Sequence, residues 1–233
     1  LKLHSHASLE IKKENKRFLM DPWLWGPCAF GAWIHYPAPT HLEKDFVEPD
    51  AIWITHEHSD HLHEPTLQKL SKDIPIYYPL FPNDRILEQL TKIGFTDLNP
   101  IQFGETREVF PNFSITPFEP KSLWNDSILL IDIEGYKVLN VSDAGINPRI
   151  ANLLGDIDCL TSVFSPLASG YPLIWNHHSF EEKKEIIDKS ASGLLSSIKH
   201  AMELYGASTF LPFGSHFTLW HPEHREFIKN FKG

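Results

Sequence analysis

Cysteine is scarce: Cys28 and Cys159 are the only two among 233 residues. Two thiols do not make a disulfide scaffold at this length, and no C-x-x-C spacing occurs, so a reducing compartment is the expectation. Long apolar runs are missing too, and nothing approaches the ~18–20 residues that a membrane helix needs. No basic-then-apolar leader opens the chain, which fits a cytoplasmic location; the first residue is Leu1 rather than Met, which leaves room for residues ahead of it. Positive charge is in deficit. Lys and Arg total 21 against 30 Asp and Glu, a net charge of −9. Phosphate backbones bind through Lys and Arg, so no broad nucleic-acid surface is expected, although bound divalent cations can still make one cleft locally positive. With 42% hydrophobic and 22% charged residues, disorder is excluded as the dominant state. No internal repeat, low-complexity segment or linker-like break appears, so 1–233 reads as one domain with a real core.

What the chain has in excess is histidine, 14 of 233, roughly two to three times an ordinary share. Histidine is the commonest metal ligand and the usual general base. Eight lie in the first 63 residues, none between His63 and His177, and six from there on. Strand-like and helix-like stretches alternate along the chain, which predicts α/β layers. Ser8–Lys12 and Arg17–Asp21 read as a hairpin. The Pro-rich stretch from Pro22 to Pro49 carries Trp23, Trp25, Phe30, Trp33 and Tyr36, an aromatic loop expected to fold over something. Ala51–Thr55 reads as a buried strand, Ile74–Tyr78 as another, and Asn83–Ile93 as an amphipathic helix stopped by Gly94. Phe113–Pro117 predicts a strand, Ile128–Ile133 and Tyr136–Val141 a hairpin, and Cys159–Phe164 and Thr209–Phe213 further strands. Ser179 and Glu182 form a capping-box signal for a long helix to about Tyr205. Pro222–Phe231 predicts a closing helix.

The sharpest signal is His56-Glu57-His58-Ser59-Asp60-His61, placed between a buried strand and a helix start. Residues i and i+2 of an extended segment point the same way, so His56 and His58 can converge on one ion. Asp60 and His61 then face a second ion as the chain turns. Imidazole with carboxylate suits zinc, iron or manganese rather than calcium or magnesium. Asp143, in a Ser-Asp-Ala-Gly turn at a strand end, is placed to bridge two ions.

This pattern resembles the metallo-β-lactamase superfamily, whose signature is H-x-H-x-D-H after a short strand. The resemblance implies a four-layer αββα sandwich with a dinuclear site at one edge of its two sheets. A fuller resemblance spans nearly the whole chain. Asp21-Pro22-Trp23-Leu24-x-Gly26-Pro27, Ala29-Phe30-Gly31, His58-Ser59-Asp60-His61-Leu62, Pro65-Thr66-Leu67-x-Lys69-Leu70, Lys137-Val138-Leu139-Asn140, Pro212-Phe213 and His221-Pro222 look like the catalytic domain of CMP-N-acetylneuraminate hydroxylases. Those enzymes pair this domain with a Rieske iron–sulfur domain, and no Rieske motif occurs here. Looser relatives with the Asp-Pro-Trp opening are hydrolases.

The superfamily pattern supplies another His shortly before the Asp143-type residue, and Ile115–Ser127 contains none. Glu119 is the better stand-in, with Ser122 the other nearby candidate; His177 or His178 can fill the gap instead. The late ligand is His216 by its strand-end position, whereas the hydroxylase resemblance marks His221. His6, in a segment similar to the family's opening Gly-His-Ala, reads as a near-site or buried structural residue. Asp21 resembles the family carboxylate that supports a ligating His. Lys121, Asn125 and Asp126 lie on a loop that can face substrate. His4, His35, His41, His63, His200 and His224 read as surface or packing residues.

The resemblance implies two divalent transition ions and an iron- and oxygen-dependent hydroxylase acting on a nucleotide-linked or amino-sugar small molecule. His56, His58, Asp60, His61, Asp143 and His216 would hold the ions, and electrons would come from a separate electron-transfer protein or from a segment missing here. The competing reading is a hydrolase in which a metal-bound water attacks a phosphodiester, lactone or amide, with Asp60 or Asp143 orienting it. A third is a non-catalytic module.

Overall fold

The computed structural model describes residues 1–39, 46–121, 123–166 and 171–223. His41, Ser122, His224 and most of the expected closing helix over Pro222–Phe231 lie outside the described residues.

Two six-stranded sheets face each other. The first contains β1 (Lys2–Ser5), β2 (Ser8–Lys13), β3 (Lys16–Met20), β5 (Ala51–Trp53), β6 (Ile76–Pro79) and β7 (Leu98–Ile101), in that spatial order. β1–β3 are antiparallel and the remaining neighbours parallel. The second sheet contains β8 (Arg107–Phe110), β9 (Phe113–Phe118), β10 (Ile128–Ile133), β11 (Tyr136–Ser142), β12 (Cys159–Val163) and β13 (Thr209–Phe213). Its pairs are antiparallel from β8 to β11 and parallel from β11 to β13. A two-stranded ribbon joins β4 (Trp33–His35) to β14 (Phe217–Leu219).

The period-2 pattern of each strand decides the layers. Ala51 and Trp53 face inward with Leu9, Ile11, Phe18 and Met20, meeting Phe113, Ile115, Leu129, Ile131, Val138 and Phe213 of the opposite sheet in one buried core. Ile52 and Ile54 face outward onto α1 (Glu64–Leu67) and α2 (Arg85–Ile93) through Leu67, Ile86 and Leu90. Leu139, Val141 and Leu160 face outward on the other side, onto α3 (Ala151–Leu154) and α4 (Phe180–Tyr205) through Leu154, Ala201 and Tyr205. The result is the four-layer αββα sandwich.

The capping box of α4 forms as the sequence predicts: Ser179 Oγ accepts from Glu182 N at 3.2 Å, and Glu182 Oε2 accepts from Ser179 N at 2.7 Å. Pro100 in β7 and Pro212 in β13 lie on edge strands, where a missing N–H leaves no ladder partner stranded. Tyr205 at the end of α4 is buried, and its hydroxyl accepts from Asn147 N at 2.9 Å, which fastens the loop that follows Asp143.

Candidate metal centre

The candidate residues arrive at one edge of the sandwich, beyond the carboxyl ends of the parallel strands, where open α/β sheets place their ligands. Asp21 follows β3, Thr55 and His56 follow β5, Asp143 follows β11, and His216 lies in the turn from β13 to β14. His6 comes from the β1–β2 turn, and Asp126 precedes β10. Three non-glycine residues here have left-handed backbones: His6 (φ 32), Asp21 (φ 43) and Ser142 (φ 38). Such conformations cost energy and persist where surrounding structure imposes them, commonly at functional sites.

Asp21 is fully buried and organises the centre. Its Oδ1 accepts from Thr55 N at 2.8 Å, and its Oδ2 accepts from Thr55 Oγ1 at 2.8 Å. Oδ2 also lies 2.9 Å from His61 Nδ1. That contact places the His61 proton on Nδ1 and turns Nε2 toward Asp60 Oδ2, at 3.5 Å, and Asp143 Oδ2, at 3.8 Å. His61 Nε2 is buried and has no hydrogen-bond partner. Burial alone would lower this imidazole's pKa; the charges of Asp21, Asp60 and Asp143 outweigh it and push the value up to about 10. Three carboxylates thus converge where positive charge is wanted.

The other rings follow. His56 Nε2 lies 2.9 Å from His58 Nδ1, but it is His61 and Asp143, not His58, that form a donor group with His56. His56 Nδ1 lies 2.9 Å from Thr55 Oγ1 and 3.4 Å from Asp126 Oδ1. Burial, with His61 and His58 as neighbours, holds His56 well below its usual pKa. His6 Nε2 lies 3.1 Å from Asp60 Oδ2. Burial would raise the Asp60 carboxyl, but His61 and His6 hold it well below the usual carboxylate range. Asp126 moves the other way, pushed up to about 8 by burial and then by the charge of Asp143.

Two donor groups result, His6–Asp60–His61 and His56–His61–Asp143, each with its ligand atoms within 4.8 Å of one another. His61 belongs to both. His6 Nδ1 and His216 Nδ1, like His61 Nε2, are buried without hydrogen-bond partners. Unpaired imidazole nitrogens beside crowded carboxylates are costly in a bare protein and suit transition ions, so the residues present fit two divalent metals. His216 stands beside His6: Gly214 N donates to the His6 carbonyl at 2.9 Å, and burial, then His6, lowers the His216 pKa.

The aromatic loop is used differently from expectation in part. Trp23 packs edge-on to His6 at 5.2 Å, Phe217 does so at the same distance from another side, and Trp33 stacks on Phe217 at 4.3 Å. These rings box His6 in. Phe30 and Tyr36 remain exposed.

Glu119 is set apart from both donor groups. β9 ends at Phe118, so Glu119 falls beyond the strand, exposed, with its carbonyl accepting from Asn147 Nδ2 at 2.9 Å. Asp126, seven residues on, is the acid that meets His56. His177 and His178 sit in the loop before α4, their rings tilted against each other at 4.2 Å beside Trp175. His221 is exposed, 3.9 Å from Glu223. Lys121 is exposed and Asn125 half-buried on the loop leading to Asp126. Thr55 is the site residue that sequence reading passed over. Its only signal is a hydroxyl at the strand end, one residue before the first His of the motif.

Among known proteins, the family model for a β-lactamase superfamily domain matches residues 16–187. The chain is 31% identical over 236 residues to cytidine monophosphate-N-acetylneuraminic acid hydroxylase of Danio rerio, covering 95% of this chain and 39% of that protein. It is 30% identical over 233 residues to the inactive cytidine monophosphate-N-acetylneuraminic acid hydroxylase of Homo sapiens, covering 94% and 45%. The chain thus spans about two fifths of the length of these curated relatives. Among solved structures, it is similar to an isothiocyanate hydrolase from Delia radicum gut bacteria, with TM-score 0.61, 18% identity, and coverage of 97% of this chain and 90% of that one. A Veillonella parvula DSM 2008 protein described as a possible metal-dependent hydrolase matches with TM-score 0.62, 18% identity, and coverage of 97% and 91%.

Proposed function

Because this chain belongs to the β-lactamase superfamily and has the metallo-β-lactamase fold, we propose that it is a dinuclear metal-dependent enzyme and, more finely, an iron- and oxygen-dependent hydroxylase of a nucleotide-linked amino sugar. The observation that carries the metal reading is His61: Asp21 fixes its Nδ1, and its unpaired Nε2 stands between Asp60 and Asp143 where the two donor groups meet. The finer reading is supported by relatives named hydroxylases, such as that of Danio rerio, which match over nearly the whole chain.

His6, Asp60 and His61 would hold one ion, and His56, His61 and Asp143 the other, with His58 and His216 adjacent. Iron, when bound there, supplies the activation of oxygen. The chain's own residues do the rest. Asp21 and Thr55 lock the ring orientations of His61 and His56. Trp23, Trp33 and Phe217 keep water from His6. Asp126 is buried, with its Oδ1 3.4 Å from His56 Nδ1, and burial with the charge of Asp143 raises its carboxyl above the usual range. His58 and Asp143 are exposed, which opens this side to a small-molecule substrate.

Hydroxylation inserts one atom of O2 into a C–H bond and releases the other as water, consuming two electrons and two protons. Cys28 and Cys159 are free, so the two electrons are supplied from outside these 233 residues. The test is incubation of iron-reconstituted protein with CMP-N-acetylneuraminate, a ferredoxin with its reductase, and heavy-oxygen-labelled O2. The expected product carries one labelled oxygen. No label in product, together with zinc-loaded protein cleaving a phosphodiester or lactone, replaces this reading with a hydrolase.

A further inference from the structure

Beside the metal centre, and sharing Asp143 with it, a groove of about 440 Å³ opens between the Asp143 loop, the end of β12 and the side of α4. Its walls include Ile146, Val163, Leu194, Ile198 and Ala201, all aliphatic, together with Asp143. Ser142, Ser162 and Ser197 supply the polar atoms of the lining. Among the described residues no aromatic ring lines it, so they offer no stacking platform for a base. No Lys or Arg is among the described lining residues either, so a carboxylate or phosphate gains no partner from them. Leu194, Ile198 and Ala201 recur at i, i+4 and i+7, one stripe of α4 turned to the groove. Concave, mostly apolar sites with a few polar groups and a reactive centre at one end are the usual form of small-molecule pockets.

We infer that this groove binds a neutral aliphatic chain, the acyl tail of an amide-bearing substrate whose polar part lies over Asp143 and the metal centre. The inference rests on the proposed catalytic centre for its orientation and adds a substrate class to it: acyl substituents longer than acetyl. The occupant is set by the walls. Branched aliphatic side chains reward methylene groups by removing them from water, and serine hydroxyls with one carboxylate suit the hydrogen-bonding of a neutral amide rather than an anion. Ser142 fits this role as well. It is 2% exposed, and its Oγ is buried without a hydrogen-bond partner.

The test is a saturation-transfer NMR titration of the full chain, with zinc and without added metal, against N-acyl-D-glucosamines from N-acetyl to N-octanoyl. Affinity is expected to rise about three- to fourfold per added methylene until the groove is filled. Ser197→Phe and Leu194→Trp, both bulky additions to the α4 wall of the groove, should each flatten the rise with chain length. A series that is flat with chain length, or a rise that survives both substitutions, overturns the inference. The two readings separate cleanly. A rising series with no labelled hydroxylation product leaves the groove standing and removes the hydroxylase, and a flat series with product does the reverse.

Discussion

The donors that meet at Asp60 are shut away from solvent, whereas those around Asp143 stand partly open. His6, Asp60 and His61 side chains are 3%, 12% and 0% exposed, but that of Asp143 is 39% exposed, and His58, packed on His56, faces solvent. Both groups use the same chemistry, imidazole with carboxylate, and they share His61. What differs is the bracing. The inner group has aromatic rings on two sides of His6 and the Asp21–Thr55 network behind His61. The outer group has His56 held by Thr55, but its carboxylate projects from a turn that adjoins the aliphatic groove. A closed set of ligands with satisfied supporting contacts holds an ion firmly, and an open one leaves positions for exchange and for substrate.

Removing the residue common to both groups should erase the contrast. His61→Ala is expected to drop metal content from two ions to less than one per chain by elemental analysis. Activity should fall well beyond the ~10–100-fold that loss of an orienting partner costs. Asp143→Ala should sharpen the contrast instead, removing the outer ion and activity but leaving one ion on His6, Asp60 and His61. An Asp143→Ala protein with two tightly held ions would mean that the outer group is not built around that carboxylate. Asp21→Asn should act on both ions more gently. It keeps an acceptor for Thr55 but loses the charge behind His61 Nδ1, and metal affinity measured by chelator competition should fall about 10–100-fold.

How much of this was legible in the chain depends on how local the cause is. His56 to His61 could be read because the strand period and a helix start fix neighbouring residues, and the long helix could be read because Ser179 and Glu182 cap it locally. The alternation in Ala51–Ile54 likewise carries the two-sided burial of β5. His6 could not be placed, because its approach to Asp60 spans 54 residues and depends on a left-handed turn at a residue that is not glycine. Asp126 outranks Glu119 because the loop after β9 brings Asp126 back against His56, a path that the strand prediction over Phe113–Pro117 does not fix. β4 and β14 are three residues each and form a separate two-stranded ribbon outside the two large sheets. β7 contains Pro100, and β8 carries Arg107 and Glu108, so neither shows the apolar alternation of a central strand.

The mildest prediction concerns a histidine outside both groups. His35 Nε2 lies 3.0 Å from the Trp23 carbonyl, and its ring lies against the Trp23 indole at 4.1 Å. Both contacts belong to the wall that encloses His6. Burial lowers the His35 pKa to about 4, with the charges of His6 and His63 acting in the same direction and the Trp23 carbonyl opposing them. A histidine depressed in the fold is neutral there while the unfolded chain takes up a proton. Its contribution to stability is therefore complete above about pH 6.5 and is lost as pH falls from there toward about 4. Allowing for partial solvent screening, the loss amounts to about 1 kcal/mol. Urea unfolding of metal-free protein at neutral and mildly acidic pH measures it, since no ion release then enters. His35→Gln keeps a donor for the Trp23 carbonyl but cannot titrate, so the substituted protein should lose less stability on acidification than the parent. Equal losses in the two proteins would place the acid sensitivity in the carboxylate-rich centre itself, and the wall around His6 would then be indifferent to pH.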